Sequence, residues 1–528
     1  MCYNCESRGL ECGGYQGFFD RVHRSQSDSI RRKVQRRIAS DNASCEGQAV
    51  LRKGLTQLVA PKDAAADECD ARLHLSAYDV RVRVVASTIP GALRGDFETA
   101  ASDVFLAIYS RHGLSPRVPG GFMHQMFPML SRISLDSPLH KAVTAVATTF
   151  AVLLSKNPHH PLVPHKNYAQ AVRGLRNAIL DDHRSRDDDL LMTALMLDFC
   201  DSINIHFRVD QDGKRRCHLE GALALMQHRG SANFRNEASK AMMVSLQTGI
   251  LQKALHAKSV VPAGCQLWFA NPQMPHTLQT DLNELTARLT NLLAWSRMCR
   301  SRHEWDDNTG AASGILEGLA DMDKEFSTWY DELPGDCLPL FLMGDDVPDS
   351  LRNAGVYRGV CSVYRDLQVA NLLNVWRYRR LMLLHELREC RARLWPKTCG
   401  SGIDATKATD DTVQWLADGI CESVPFFLGD YTDVVSPVLN SGLTFPTVTN
   451  EDWTVPVSID DHARHATGAG GWLILTSLTN LCRFSKLHDE SQPKALREGQ
   501  LHWIRDQLRR IQYVEIQTPP AMKHADPK

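Results

Sequence analysis

Apolar residues recur at helical spacing almost throughout the chain from about residue 76 onward, and this pattern restricts the folds open to it. One such stripe comprises Tyr168, Val172, Leu175 and Ile179. Ala142 to Leu154 is apolar on all sides, which predicts a buried helix. Alternating strand patterns are nearly absent, and no repeat of fixed period is present. The sequence therefore predicts an all-α fold.

Other helices and the loops between them follow from the same pattern. Helical stretches are predicted at residues 190–199, 282–295, 369–394 and 471–484, and loops at 306–314, 335–350, 398–411 and 435–460. Asp187, Asp188 and Asp189 precede the first of these helices, where they suit an N-cap and the positive end of the helix dipole.

The composition is that of a soluble globular protein. Of 528 residues, 43% are hydrophobic and 23% are charged, and the formal net charge is -1. The longest apolar run, Ala142 to Leu154, is too short to span a bilayer, so no membrane segment is expected. The fifteen cysteines are scattered singly beyond Cys12, and the start of the sequence has no apolar signal region. We therefore expect reduced cysteines in a reducing compartment.

The first residues carry a cysteine motif next to a concentration of positive charge. Cys2, Cys5 and Cys12 follow the spacing C-x2-C-x6-C, and Gly13-Gly14-Tyr15 comes directly afterwards. Residues 1–40 hold eight Lys or Arg against four acids. A structural zinc site needs four ligands for each metal ion, and the next cysteines, Cys45 and Cys69, have the wrong spacing. The trio is thus an incomplete metal site.

The segment from Cys2 to Tyr15 resembles the second half of the fungal binuclear zinc cluster, the Zn2Cys6 family. Its Arg-Gly-Leu-x-Cys-x-Gly-Tyr tail and the basic stretch that follows are typical of that half. The body resembles the fungal-specific transcription factor domain, in its second variety, over roughly residues 140–515. The passages that carry this resemblance appear in the family's order: Tyr168 to Ile179, His218 to Ala222 with Gln227 to Gly230, Asn374 to His385, Ser423 to Phe426, and Gly470 to Leu475 with Trp503 and Ile504.

The resemblance implies a nuclear transcription regulator with zinc as its cofactor. Cys2, Cys5 and Cys12 would match the family's fourth, fifth and sixth ligands, with Cys2 bridging two zinc ions. The family reads GC-rich half-sites in DNA mainly through a lysine-bearing turn in the first half of the cluster. That half is absent from this sequence, so we expect the chain not to close the cluster by itself and to be impaired in reading DNA.

Basic residues near the cluster are expected to make weak contacts to the DNA backbone, which add affinity without sequence information. They are Arg8, Arg21, Arg24, Arg31, Arg32, Lys33, Arg36 and Arg37. The family's other expected partner is the transcription machinery. Dimerisation in the family generally uses a coiled coil after the linker, and the stripe of Ile30, Val34 and Ile38 is too short for one. Whether the chain forms a homodimer or a heterodimer stays open.

The expected organisation has four parts. Residues 1–15 form the incomplete second half of the cluster, and residues 16–75 form a basic region and flexible linker. Residues 76–515 form the all-α regulatory domain, and residues 516–528 form a disordered tail. A second hypothesis is that the chain is a DNA-independent helical interaction protein that modulates intact relatives.

Two groups of residues could suggest an enzyme, but we expect none. Aspartates 181, 182 and 187–189 could hold magnesium in an all-α enzyme, but no second acidic motif accompanies them, which favours a solvated cap between helices. His218, Glu220 and His228 are expected to serve packing, as are His462 and His465, which lack a third ligand at suitable spacing. Neither a P-loop nor a dinucleotide fingerprint is present.

Overall fold

The structure, a computed structural model, describes residues 97–109, 118, 121–154, 162–207, 217–269, 271–301, 309–347, 356–394, 401–428, 470–487 and 496–515. These residues are 81% helical and contain one two-stranded sheet, which confirms the predicted all-α fold. No helix among them combines the length and the apolar character that crossing a bilayer requires.

Fifteen α-helices and two strands make up the described part of the chain. In order they are α1 (Phe97–Tyr109), α2 (Met123–Leu130), α3 (Pro138–Leu154), α4 (Leu162–Ile179), α5 (Asp188–Phe207), α6 (Cys217–Arg229), α7 (Glu237–Ala257), α8 (Ala263–Phe269), α9 (Leu278–Ser301), α10 (Thr309–Asp331), β1 (Leu340–Met343), β2 (Val360–Val363), α11 (Leu367–Leu394), α12 (Ser401–Glu422), α13 (Val424–Leu428), α14 (Gly471–Ser485) and α15 (Gln500–Glu515).

The first hydrophobic core lies among α1 to α8. Helix α3 packs against α1, α4 and α5, and its apolar residues, such as Leu139 and Val146, are fully buried. This confirms the helix predicted from the apolar run. Asp188 and Asp189 occupy the first turn of α5, where their charges lie at the positive end of the helix. Helices α6 and α7 pack on α5 and cover this core.

The second core is built around α11, a helix of 28 residues. Helices α10, α12 and α14 pack against α11, and α15 packs on α14. Trp376 lies fully buried in α11 and donates its indole N–H to the Phe326 carbonyl oxygen of α10 at 2.9 Å. Its ring stacks on Tyr330, with the two centroids 4.6 Å apart. Burial of a side chain of this size contributes about 3 kcal/mol.

The two cores meet where α7 packs on α9. Leu282 and Leu289 of α9 belong to the second core, whereas Ala287 belongs to the first. Trp472 of α14 touches both cores and meets Phe199 edge to face, with the ring centroids 5.1 Å apart. The junction therefore brings α7, α9 and α11 together in the interior of the molecule.

Three of the predicted loops are wrong in part. Helix α10 begins at Thr309 and α12 at Ser401, inside the segments predicted as loops, because their first turns are rich in Gly, Ser, Thr and Asp and therefore resemble a loop in sequence. The segment 335–350 contains β1, which pairs antiparallel with β2 so that Leu340 lies opposite Val363. Four residues are too few for an alternating pattern to reveal a strand. The loop predicted at 435–460 lies outside the described residues.

Candidate functional site

The residues predicted to bind zinc and DNA all lie outside the described part of the chain. They are Cys2, Cys5 and Cys12 of the cluster and Arg8, Arg21, Arg24, Arg31, Arg32, Lys33, Arg36 and Arg37 of the basic region. The predicted linker and the C-terminal tail also lie outside it, and so do His462 and His465. Their roles stay predictions.

The structure places Asp188 in a site made of hydrogen-bond donors. Its carboxylate accepts from the Ser239 hydroxyl at 2.6 Å, from the Asn236 amide at 2.9 Å and from the Arg229 guanidinium, which is itself buried. Burial raises the pKa of Asp188, but these three donors outweigh it and hold the pKa below its ordinary value. The carboxylate thus links the start of α5 to α6 and α7, and its oxygens accept hydrogen bonds from protein donors.

The neighbouring aspartate behaves differently. Burial, together with the charge of Asp187, raises the pKa of Asp189, and its nearest cation, Arg184, stands 3.7 Å away. Asp181 accepts from the backbone N–H of His183 at 2.9 Å and so caps the short turn before α5. Within the described ranges, no group of three or more metal-ligating side chains comes together. In the structure Asp181 thus caps a turn, and Asp189 lies near a cation.

The predicted histidines make separate contacts. His218 Nε2 lies 2.6 Å from the Tyr168 hydroxyl, which donates to Asp201 at 3.0 Å. His228 Nε2 lies 2.9 Å from the Ser185 hydroxyl. Glu220 accepts from Lys253 at 2.6 Å on the surface. These side chains do not converge on one site, which fits a packing role.

The most unusual polar group among the described residues is Arg379 of α11, which sequence reasoning missed. It is fully buried at the meeting point of α7, α9 and α11. One of its terminal nitrogens donates to the Leu282 carbonyl oxygen at 3.3 Å, and both approach Asn283 Oδ1 at 3.4 and 3.5 Å. These are long hydrogen bonds to neutral acceptors. No described carboxylate forms an ion pair with this guanidinium.

Burial lowers the pKa of Arg379 to about 9. Because this value still lies above neutral pH, the side chain keeps its charge. A buried charge without a partner costs several kcal/mol, and buried cations are therefore paired as a rule. Arg379 departs from that rule.

The amides around Arg379 have a defined orientation. Asn283 Oδ1 faces Arg379 and also accepts from Gln279 at 3.0 Å. The amide nitrogen of Asn283 must then point the other way, and it donates to Thr248 at 3.0 Å and to Gln247 Oε1 at 3.4 Å. Gln247 consequently presents Oε1 to Asn283 and turns its Nε2 away. If the Gln247 oxygen and nitrogen exchanged places, Gln247 Nε2 would face Asn283 Nδ2, and two donors would meet.

Two donors at this junction lack acceptors as a result. Arg379 Nε and Gln247 Nε2 are buried and have no hydrogen-bond partner in the described part of the protein. Leaving a buried donor unsatisfied costs about 1–3 kcal/mol, so such groups need an explanation. Each of these two donors requires an acceptor, and the charge of Arg379 favours a negatively charged one.

A second buried charge lies two turns further along α11. The Glu386 carboxylate is fully buried and accepts from Ser296 at 2.6 Å, from Lys258 at 3.0 Å and from Arg300. Burial raises the pKa of Glu386, but the positive charges of Lys258 and Arg300 outweigh it and hold the pKa below its ordinary value. Glu386 is thus already surrounded by two cations.

A sequence signal for this site exists in Arg377, Arg379 and Arg380, three arginines that lie between the apolar groups Leu372-Leu373 and Leu381 to Leu384. Arg377 donates to the Tyr364 hydroxyl at 3.0 Å and to Asn374 at 2.7 Å, and Arg380 pairs with Asp323 at 2.8 Å. Helical spacing predicts that at least one of three such cations faces the core. It does not reveal which of them lacks a partner.

Comparison with known proteins gives no match: no family model, no curated protein and no solved structure matches this chain. The resemblance to Zn2Cys6 regulators therefore depends on the sequence passages themselves.

Proposed function

We propose that this chain is a transcription regulator of the Zn2Cys6 class, with a large helical regulatory domain and a cluster of which it carries three cysteines. The observation that carries the proposal is the Cys2, Cys5 and Cys12 spacing, followed by a basic stretch and an all-helical body. Zinc and DNA are the cofactor and partner that this class implies, and the nucleus is the compartment.

The fold supports the proposal through the positions of the passages that carry the resemblance. These passages lie in α4, α6, α11, α13, α14 and α15. Trp376, Phe426, Ile474 and Ile504, which come from three of the passages, are fully buried. These residues of the resembling passages therefore belong to the second core, as expected if the passages belong to one folded domain.

The chemistry of the cysteines fits zinc, but their number falls short. Thiolates are preferred ligands of structural zinc, and each ion takes four. Three cysteines with this spacing supply half of a six-cysteine cluster that holds two ions. The basic residues from Arg21 to Arg37 supply charge for phosphate contacts, whose contribution falls as salt rises. In this chain DNA binding is then weak, independent of sequence and sensitive to salt.

A fusion experiment tests the proposal. The first half of a cluster from an intact family member is joined immediately before Cys2, and binding to a GC-rich half-site duplex and to a scrambled duplex is measured by fluorescence anisotropy with zinc present. We expect the fusion to prefer the half-site, and the chain alone to bind both duplexes alike and weakly. Cys5→Ser abolishes the preference, whereas Cys45→Ser, outside the trio, preserves it.

One result of the fusion experiment would contradict the DNA-reading role. A fusion that binds zinc but shows no preference for the half-site contradicts the DNA-reading role and favours the DNA-independent interaction protein. A further variant separates base reading by the cluster from phosphate contacts by the basic stretch. It replaces five basic residues by Gln: Arg31, Arg32, Lys33, Arg36 and Arg37. This variant of the fusion should lose affinity for both duplexes alike and have a shallower salt dependence, by about one unit of slope for each lost phosphate contact.

A further inference from the structure

The charge of Arg379 is not balanced by any carboxylate in the described part of the chain. Among the described residues, Arg379 has only neutral acceptors, and those contacts are 3.3 to 3.5 Å long. The nearest carboxylate on the same face of α11 is Glu386, seven residues on, which corresponds to about 10 Å along the helix axis. Glu386 is already paired with Lys258 and Arg300. It therefore leaves the charge of Arg379 uncompensated.

The unpaired donors show what kind of partner would complete the cluster. Arg379 Nε and Gln247 Nε2 both offer an N–H and need an acceptor. A water molecule could accept from them, but it would leave the buried charge without a counterion. A small anion supplies both the acceptor and the opposite charge. Charge-assisted hydrogen bonds of this kind are about twice as strong as neutral ones.

We propose that the junction of α7, α9 and α11 is a binding site for a small monovalent anion, either a halide or a short carboxylate, held by Arg379 and Gln247. Asn283 fixes the orientation of both side chains, since its Oδ1 faces Arg379 and its Nδ2 faces Gln247.

The outer side of the junction offers a route to solvent. Gln279 and Thr248 are only half-buried, and each bonds directly to Asn283. An anion at this position contacts all three helices and joins the two hydrophobic cores, so its binding stabilises the folded chain by the usual linkage. The inference does not rest on the proposed DNA-binding function, because it concerns the helical body alone.

The test measures the melting temperature of the full chain as chloride or acetate replaces gluconate at constant ionic strength. We expect a saturable rise for the wild type and no saturable rise for Arg379→Met. Arg288→Gln is the control, because Arg288 lies on α9 but is half-exposed and paired with Glu325. This variant should keep the wild-type response. Saturation with chloride alone assigns a halide site, and saturation with acetate alone assigns a carboxylate site.

A second variant keeps the test decisive if Arg379→Met does not fold. Gln247→Leu removes one of the two donors and keeps the charge, so we expect saturation at an anion concentration roughly tenfold higher, equivalent to the loss of about 1.4 kcal/mol. Equal responses of the wild type and Gln247→Leu would overturn the site. A wild type that shows no saturation with either anion would do the same. A bromide-soaked crystal provides a direct check, since an anomalous peak beside Arg379 is expected.

Discussion

The carboxylate of Glu386 on α11 accepts a 2.6 Å hydrogen bond from the Ser296 hydroxyl on α9, and both side chains are fully buried. Lys258, the residue after α7, reaches the same carboxylate at 3.0 Å, and Arg300 contacts it from the last turn of α9. One buried charge thus ties three helices together at the boundary between the two cores. Arg379, two turns away, occupies the same three-helix interface, where no acidic side chain among the described residues pairs with it.

Glu386 makes the free energy of unfolding depend on pH in the acidic range. Its pKa lies below the ordinary value of 4.5, so the unfolded state takes up its proton first as the pH falls. The stabilisation is complete above about pH 4.5 and is lost as the pH drops through the lower native value. Glu386→Ala leaves Lys258 and Arg300 without their partner and is expected to cost about 3–5 kcal/mol at pH 7. Urea unfolding at a series of pH values measures both effects.

Glu325→Ala is the matched control for Glu386. Glu325 pairs with Arg288 on the surface, and both side chains are more than a third exposed. Its loss should change the free energy of unfolding by less than about 1 kcal/mol. Equal costs for the two variants, or an unchanged acid transition in Glu386→Ala, would show that the buried pair does not hold the helices.

A substitution of Asp188 distinguishes a structural role of the aspartates from a role in binding magnesium. Asp188→Ala leaves the buried guanidinium of Arg229 unpaired, so we expect a loss of about 3–5 kcal/mol that is independent of added Mg²⁺. Asp182→Ala, on an exposed side chain of the preceding turn, should have little effect. Thermal unfolding with and without Mg²⁺ is the measurement. A Mg²⁺-dependent rise in melting temperature that Asp188→Ala removes would favour the enzyme hypothesis instead.

Gly470 precedes α14 and lies against the backbone of the second core. A Cβ at this position would collide with the carbonyl oxygen of Phe427, which belongs to the main chain and cannot rotate away. Gly470→Ala should therefore destabilise the protein by about 1–3 kcal/mol. Gly314→Ala makes a good comparison because Gly314 lies in α10 with open space around it. There the better helix propensity of alanine should stabilise the fold by up to about 1 kcal/mol, so chemical denaturation should give shifts of opposite sign.

Asp418 anchors the C-terminal helix. It accepts from the Tyr357 hydroxyl at 2.9 Å, from Gln500 at 3.1 Å and from Arg497 at 3.1 Å. Asp418→Ala leaves these donors unsatisfied, which should cost about 2 kcal/mol. Hydrogen exchange of the α15 amides should then accelerate by roughly thirtyfold. Amides of α3, in the first core, serve as the internal reference, and an equal acceleration there would mean that the whole chain, rather than α15, has been loosened.

The sequence predicts the helices that face a core but misses features that depend on distant contacts. The stripe from Tyr168 to Ile179 and the apolar run from Ala142 to Leu154 both correspond to helices, because burial of one face imposes a 3.6-residue period. The first turns of α10 and α12 are polar, so their period is hidden. The β1–β2 pair is too short to show a period of its own.

The Arg379 cluster could not be found in this way. Gln247, Asn283 and Arg379 are far apart along the chain and meet only when α7, α9 and α11 pack together. A single sequence shows that Arg379 has apolar neighbours in its helix, but which of the described side chains lie across the interface depends on how the helices pack. The three cysteines are the reverse case, since their spacing is local and can be read directly from the sequence.

The number of zinc ions bound is the most direct test of the proposed function. Native mass spectrometry should show fewer than two tightly held zinc ions in this chain, and two in the fusion that supplies the first half of the cluster. Cys2→Ser should reduce the count in the fusion, because Cys2 is the expected bridging ligand. Two tightly held ions in the chain alone, or no zinc in the fusion, would contradict the assignment of Cys2, Cys5 and Cys12 to the second half of a Zn2Cys6 cluster.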